Sequence, residues 1–99
     1  MLKHIVMWKF KAAEGKTLKE NVQIVKNGLE SLPPKVPHIK KLTFLENQVE
    51  CDRNFDALLI VETENEQELE NYKNHPEHKK VAEYVKKVTE NRGAVDIWE

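Results

Sequence analysis

Two segments of this chain carry apolar residues on both of their alternating faces, and that limits the folds open to it. From Leu2 to Phe10 the pattern repeats every second residue. Leu2, His4, Val6, Trp8 and Phe10 share one face, while Ile5 and Met7 lie on the other between Lys3 and Lys9. From Phe55 to Thr63 the same rhythm puts Phe55, Ala57, Leu59 and Val61 on one face and Leu58 and Ile60 on the other. A strand that is apolar on both sides belongs in the middle of a sheet whose two faces are both covered.

The segments between them supply the rest of the sheet and its helices. Lys11 to Lys16 is polar, contains Gly15 and reads as a loop. Thr17-Leu18-Lys19-Glu20 has the capping-box spacing that opens a helix. Leu18, Val22, Val25, Leu29 and Leu32 follow at steps of three and four, until Pro33-Pro34 removes two backbone donors and stops it. A second strand is expected from about His38 to Asn47, with Leu42 and Phe44 facing one way, and Gln48 to Asn54 turns the chain. The acidic run Glu64 to Glu70 opens a short helix, since negative charge suits the positive end of its dipole. Leu69 and Tyr72 face inward from it; His75-Pro76 interrupts, and Pro76 starts a further helical segment with His78, Val81, Ala82, Val85 and Val88 on one face. Asn91-Arg92-Gly93 is expected to end that helix and Ala94 to Trp98 to form the last strand.

The order is β-α-β-β-α-β over residues 1–99 as one α+β domain. With right-handed crossovers it gives the ferredoxin-like split sheet, both helices on one face and strands one and three in the middle. The second face keeps Ile5, Met7 and one set from strand three in water. Exposing each large aliphatic side chain forfeits roughly 1.5–3 kcal/mol. An identical sheet packed against it, a homodimer, is the simplest cover.

Sixteen Lys and Arg against seventeen Asp and Glu leave a net charge of −1, which gives no electrostatic pull toward nucleic acid or an anionic membrane. No apolar run approaches the roughly eighteen residues of a membrane span, no signal peptide is evident, and the single Cys51 has no intrachain disulfide partner. A cytoplasmic protein is expected. No cofactor or metal motif is present, so no cofactor is expected. The carboxylates from Glu62 to Glu70 read as a solvated face, and Lys79, Lys80, Lys86 and Lys87 as the outer face of the last helix.

Among the four histidines, His38 reads as a solvated loop residue and His75 as a helix cap. His4 and His78 each head an otherwise apolar face, with Tyr72 about one and a half turns before His78. These three could converge between sheet and helices. A desolvated histidine stays neutral and can act as a general base, and a tyrosine hydroxyl can stabilise an enolate oxygen. From spacing alone the simpler account is that they satisfy one another inside a filled core.

Leu2-Lys3-His4-Ile5-Val6-Met7-Trp8-Lys9-Phe10, Tyr72-Lys73-Asn74-His75-Pro76-Glu77-His78 and Val95-Asp96 together resemble the stress-responsive dimeric α/β-barrel (Dabb) family across essentially the whole chain. The resemblance implies homodimers of ferredoxin-like subunits whose sheets form a barrel. Most members have no assigned reaction; several in plants are linked to stress tolerance, and one is a metal-independent polyketide cyclase. Its catalytic histidine and tyrosine match His78 and Tyr72, and a further pocket histidine matches His4. Val22, Val25 and Leu29 stand where that enzyme has aromatic pocket walls, so its substrate does not carry over.

The candidate site is therefore His78 and Tyr72 as catalytic groups, with His4, Val6, Trp8 and His75 as ligand contacts. The first reading is a stress-associated homodimer with a small pocket for an apolar or carbonyl compound. The alternative is a cyclase or isomerase with His78 as base and Tyr72 as hydrogen-bond donor. A barrel monooxygenase is a third class that the lysine-histidine and histidine-proline pattern argues against. A ligand-sized void beside His78 separates chemistry from a filled core.

Overall fold

The computed structural model describes every residue from Met1 to Glu99. β1 (Leu2–Phe10), β2 (Lys41–Glu46), β3 (Ala57–Thr63) and β4 (Thr89–Trp98) form one sheet in the order β2-β3-β1-β4, each neighbour pair antiparallel. β1 and β3 hold the centre, as their two-sided patterns require. Along β1 burial alternates without a break: Leu2, His4, Val6, Trp8 and Phe10 are buried under the helices, and the residues between them are half-buried. β3 alternates in the same phase, since Val6 stands opposite Leu59 and His4 opposite Val61.

α1 (Leu18–Glu30) starts with the anticipated capping box. The Glu20 amide donates to Thr17 Oγ1 at 3.1 Å, and the Thr17 amide donates to Glu20 Oε1 at 2.9 Å. Val22, Val25 and Leu29 face the sheet, but Leu18, the first residue of the expected stripe, is exposed at the helix start. Asn21, which breaks the apolar stripe in sequence, is fully buried. Its Nδ2 donates to the Lys11 and Ala13 carbonyls, and its Oδ1 accepts from the Tyr84 hydroxyl at 2.6 Å. This pins the β1–α1 loop to the last helix. Gly28 lets α1 approach that helix closely, because a Cβ there would stand 3.3 Å from Val81 Cγ1.

Three boundaries differ from the sequence reading. β2 begins at Lys41, not near His38, because Val36 and Ile39 are drawn into the core by a turn in which the Val36 amide donates to the Leu32 carbonyl at 2.9 Å. Phe55 falls just before β3, and its ring lies beside Gly93 on the side of the sheet away from Ala57. The final helix ends at Val88, and Asn91-Arg92-Gly93 lies inside β4, where Gly93 pairs with Met7. The stop is Thr89: its hydroxyl donates to the Val85 carbonyl at 2.8 Å, and its backbone is already extended.

The acidic run and the histidine-proline step give two helices, α2 (Glu66–Asn74) and α3 (Pro76–Val88). Asn65 caps α2 by accepting from the Glu68 amide. His75 is the single residue between the helices; its Nδ1 accepts from the Glu77 amide at 3.1 Å. All three helices lie on one side of the sheet. The other side is uncovered and presents a contiguous set of Ile5, Met7, Leu58, Ile60, Val95 and Ile97 across neighbouring strands. Val95 and Ile97 are 48% and 40% exposed.

Candidate functional site

The covered face of β1 ends against α2 and α3 in a cleft of about 840 Å³. Val6, Trp8, His4 and Leu59 form its floor; Tyr72, His78 and Val85 form the helical wall. The histidines and the tyrosine that the sequence pattern aimed inward therefore border one open volume. The floor is stiffened by aromatic packing, with Trp8 stacked on Phe44 at 6.5 Å and edge-on to Phe10 at 6.3 Å.

His78 sits in the first turn of α3. Its Nδ1–H donates to the Lys73 carbonyl at 2.9 Å, which leaves Nε2 as the lone-pair nitrogen. Burial lowers its pKa, and the hydrogen bond to Lys73 does not recover the shift. His78 is therefore neutral at pH 7 with a free basic nitrogen.

Tyr72 comes from the last turns of α2, and its ring centre lies 4.4 Å from that of His78. Burial raises its pKa well above the ordinary tyrosine value, so the hydroxyl keeps its proton. The side chain is 1% exposed. Every fully buried side-chain polar atom in the protein has a hydrogen-bond partner, and the Tyr72 hydroxyl has none. Its oxygen is thus not fully enclosed, and Tyr72 borders the cleft.

His4 faces these two from the sheet. Its Nδ1–H donates to Asp96 Oδ1, directly opposite on β4, at 2.6 Å. Burial lowers the His4 pKa more than Asp96 raises it, because the Asp96 side chain is 46% exposed and its charge is screened by water. His4 is held neutral with Nε2 unpartnered, by the same device as His78 but with a carboxylate in place of a carbonyl. The Asp96 partner was contained in the Val95-Asp96 segment, yet no role was legible for it without the β1–β4 register.

Two histidines stand elsewhere. His75 does not line the cleft: as the cap of α3 its ring is committed to the Glu77 amide, which corrects the expectation of a ligand contact. His38 is half-buried, not solvated, with Nδ1 2.8 Å from Glu68 Oε2. The mouth of the cleft holds residues that the sequence reading left on the outer helix face, Lys79, Lys80 and Lys86, together with Lys73, Glu83 and Arg92. The carboxylates of the acidic run are dispersed: Glu62 lies opposite Lys3 and Lys41, Glu64 pairs with Lys40, and Glu68 with His38.

A ferredoxin-like α+β subunit with four antiparallel strands and helices on one face is thus the class of protein that this chain forms. The model of the stress-responsive A/B barrel domain matches residues 2–99, and the chain belongs to that family, Dabb. Among solved structures, a dimeric ferredoxin-like protein from Bacteroides fragilis is 26% identical, with a TM-score of 0.82 over 97% of this chain and 93% of that one. A second dimeric ferredoxin-like protein, from Thermobifida fusca, is 21% identical, with a TM-score of 0.81 over 97% and 88% of the two chains. The hydroxynitrile lyase of Passiflora edulis has the same fold at 12% identity, with a TM-score of 0.76 over 97% and 90%. No curated protein sequence matches the chain.

Proposed function

We propose that this protein works as a homodimer in which each subunit binds a small carbonyl compound in its cleft and moves a proton on it. His78 Nε2 takes a proton from the carbon next to the carbonyl, and the Tyr72 hydroxyl donates a hydrogen bond to the oxygen as it becomes an enolate. His4 Nε2 accepts a hydrogen bond from a donor group on the same compound, and Val6 and Trp8 give its apolar part a dry surface. Return of the proton to a different carbon makes the step an isomerisation; attack of the enolate carbon on a second carbonyl of the same chain makes it a ring closure.

The observation that carries this reading is the unpartnered Tyr72 hydroxyl in a side chain only 1% exposed, 4.4 Å ring to ring from a neutral histidine, beside a cleft large enough for a ligand. A filled, self-satisfied core would have paired those groups with one another. The fold is compatible with catalysis, since the Passiflora protein that shares it is named as a lyase. The dimer is supported by the uncovered apolar face and by the dimeric state of the Bacteroides and Thermobifida proteins.

The test is proton exchange. In D2O, wild-type protein should speed loss of the α-protons of a small ketone such as cyclohexanone, followed by NMR, by at least about tenfold over His78→Ala and over Tyr72→Phe. Equal rates for the wild type and both folded variants would overturn the assignment.

A further inference from the structure

The cleft has a charged mouth that nothing in the proton-transfer reading uses. Lys73, Lys79, Lys80, Lys86 and Arg92 border it against one carboxylate, Glu83. The chain as a whole carries a net charge of −1, so this concentration is not a consequence of composition. Two of the cations are engaged: Lys80 Nζ is 2.8 Å from Glu77 Oε2, and Lys73 Nζ is 3.8 Å from Glu70 Oε1. Lys79, Lys86 and Arg92 have no ion-pair partner.

Their positions flank one route. Arg92 stands opposite Trp8 in the β1–β4 register, on the covered face of the sheet and in the same row as Asp96 opposite His4. Lys79 and Lys86 lie two turns apart on α3, along the edge that borders the opening. All three border the same cleft as His78 and Tyr72. Arg92 and Lys73 are close enough to His4 for their charges to disfavour its protonation, so their field extends into the cleft.

We propose that the compound bound in this cleft is an oxo acid: its carbonyl lies at Tyr72 and His78, and its carboxylate lies at the mouth on Arg92, with Lys79 and Lys86 adding to the attraction. A planar guanidinium matches a carboxylate by two parallel hydrogen bonds, which fixes the orientation of the chain and so the carbon presented to His78. The lysines act at longer range and draw the anion in. This inference rests on the carbonyl-binding reading of the same cleft and adds to it the charge of the substrate.

The experiment titrates the full-length protein with acetoacetate, levulinate and 5-oxohexanoate, and with their methyl esters, following side-chain NMR signals of His78, Tyr72 and Arg92. The acid of best length should bind saturably, shift all three residues, and bind about tenfold more tightly than its neutral ester. Arg92→Gln should remove that preference and leave the ester's affinity unchanged, and added salt should weaken the acid alone. If acid and ester bind equally, or Arg92→Gln leaves the acid's affinity intact, the oxo-acid proposal falls while carbonyl binding stands. Saturable shifts confined to Arg92, or no shift at His78 and Tyr72 with any probe, would overturn both.

Discussion

His78 and Lys73 are joined across a helix break: the ring Nδ1–H of His78 takes the Lys73 carbonyl at 2.9 Å, a group that an unbroken helix would give to the Glu77 amide. Pro76 removes one donor from the ladder, and the His75 ring takes the Glu77 amide instead. The Lys73 carbonyl is left over, and it selects the tautomer in which His78 Nε2 carries the lone pair. Replacing Pro76 by Ala restores a donor and favours continuous helix through the junction. The expected result is a fold retained by circular dichroism and a loss of cleft activity comparable to that of His78→Ala, read by proton exchange. Full activity in Pro76→Ala would show that the break is not what orients the ring.

Two tyrosines provide an internal contrast in stability. Removing the Tyr72 hydroxyl deletes no protein hydrogen bond, so Tyr72→Phe should stay within about 0.5 kcal/mol of wild type. Tyr84→Phe deprives the fully buried Asn21 of the donor to its Oδ1 and should cost about 1–3 kcal/mol. Thermal or urea unfolding of the two variants side by side gives the comparison. A large loss in Tyr72→Phe would mean that the hydroxyl supports the core and has no free role.

The buried histidines set an acid limit. His4 and His78 both have folded pKa values lowered from 6.5, so protonating either favours the unfolded chain. Their contribution is complete above pH 6.5 and is lost as pH falls through the lowered folded values. The lowered carboxylates Glu20, Glu68, Glu77 and Glu99 act the same way starting from 4.5, so the interval between 6.5 and 4.5 reports mainly on histidine. Melting temperature should drop from pH 7.5 to about pH 5.5, and the drop should shrink by about half in His78→Gln. A melting temperature indifferent to pH in that interval would contradict the neutral assignment of both rings.

Assembly is tested on the other side of the sheet. At micromolar concentration, scattering or sedimentation should give about twice the chain mass. Ile5→Asp or Met7→Asp places a charge in the proposed interface from each subunit and should dissociate or unfold the protein. A well-folded wild-type monomer at that concentration would sink the dimer.

The parts of this structure that were legible in sequence are those set by short-range periodicity. The alternation of β1 and β3 fixed their central place, and the Thr17–Glu20 spacing located the start of α1 to the residue. The inward aim of His4, Tyr72 and His78 followed from the same rule. What escaped was whatever depends on contacts between distant segments. Asn21 carries no signal in the sequence pattern; its role depends on Lys11, Ala13 and Tyr84 being brought to it. Arg92 reads in sequence as part of the Asn91-Arg92-Gly93 helix stop, yet pairing with β1 draws it into a strand and puts it at the cleft mouth. His75 was legible as a cap and less so as a residue whose ring that role consumes.

The alternation of β1 has a genetic corollary. Its even-numbered residues face the helices, with His4, Val6 and Trp8 at the cleft, and its odd-numbered residues the uncovered face, so point substitutions can alter either side while the other is inherited unchanged. Insertions have no such freedom. One added codon between His4 and Val6, with the rest of the strand keeping its pairing, would turn the imidazole outward and remove it from the cleft. Lineages of this domain should therefore tolerate many replacements along the first strand and very few changes in its length, whereas the Gln48–Asn54 turn, which lies outside every strand and helix, is free to grow or shrink.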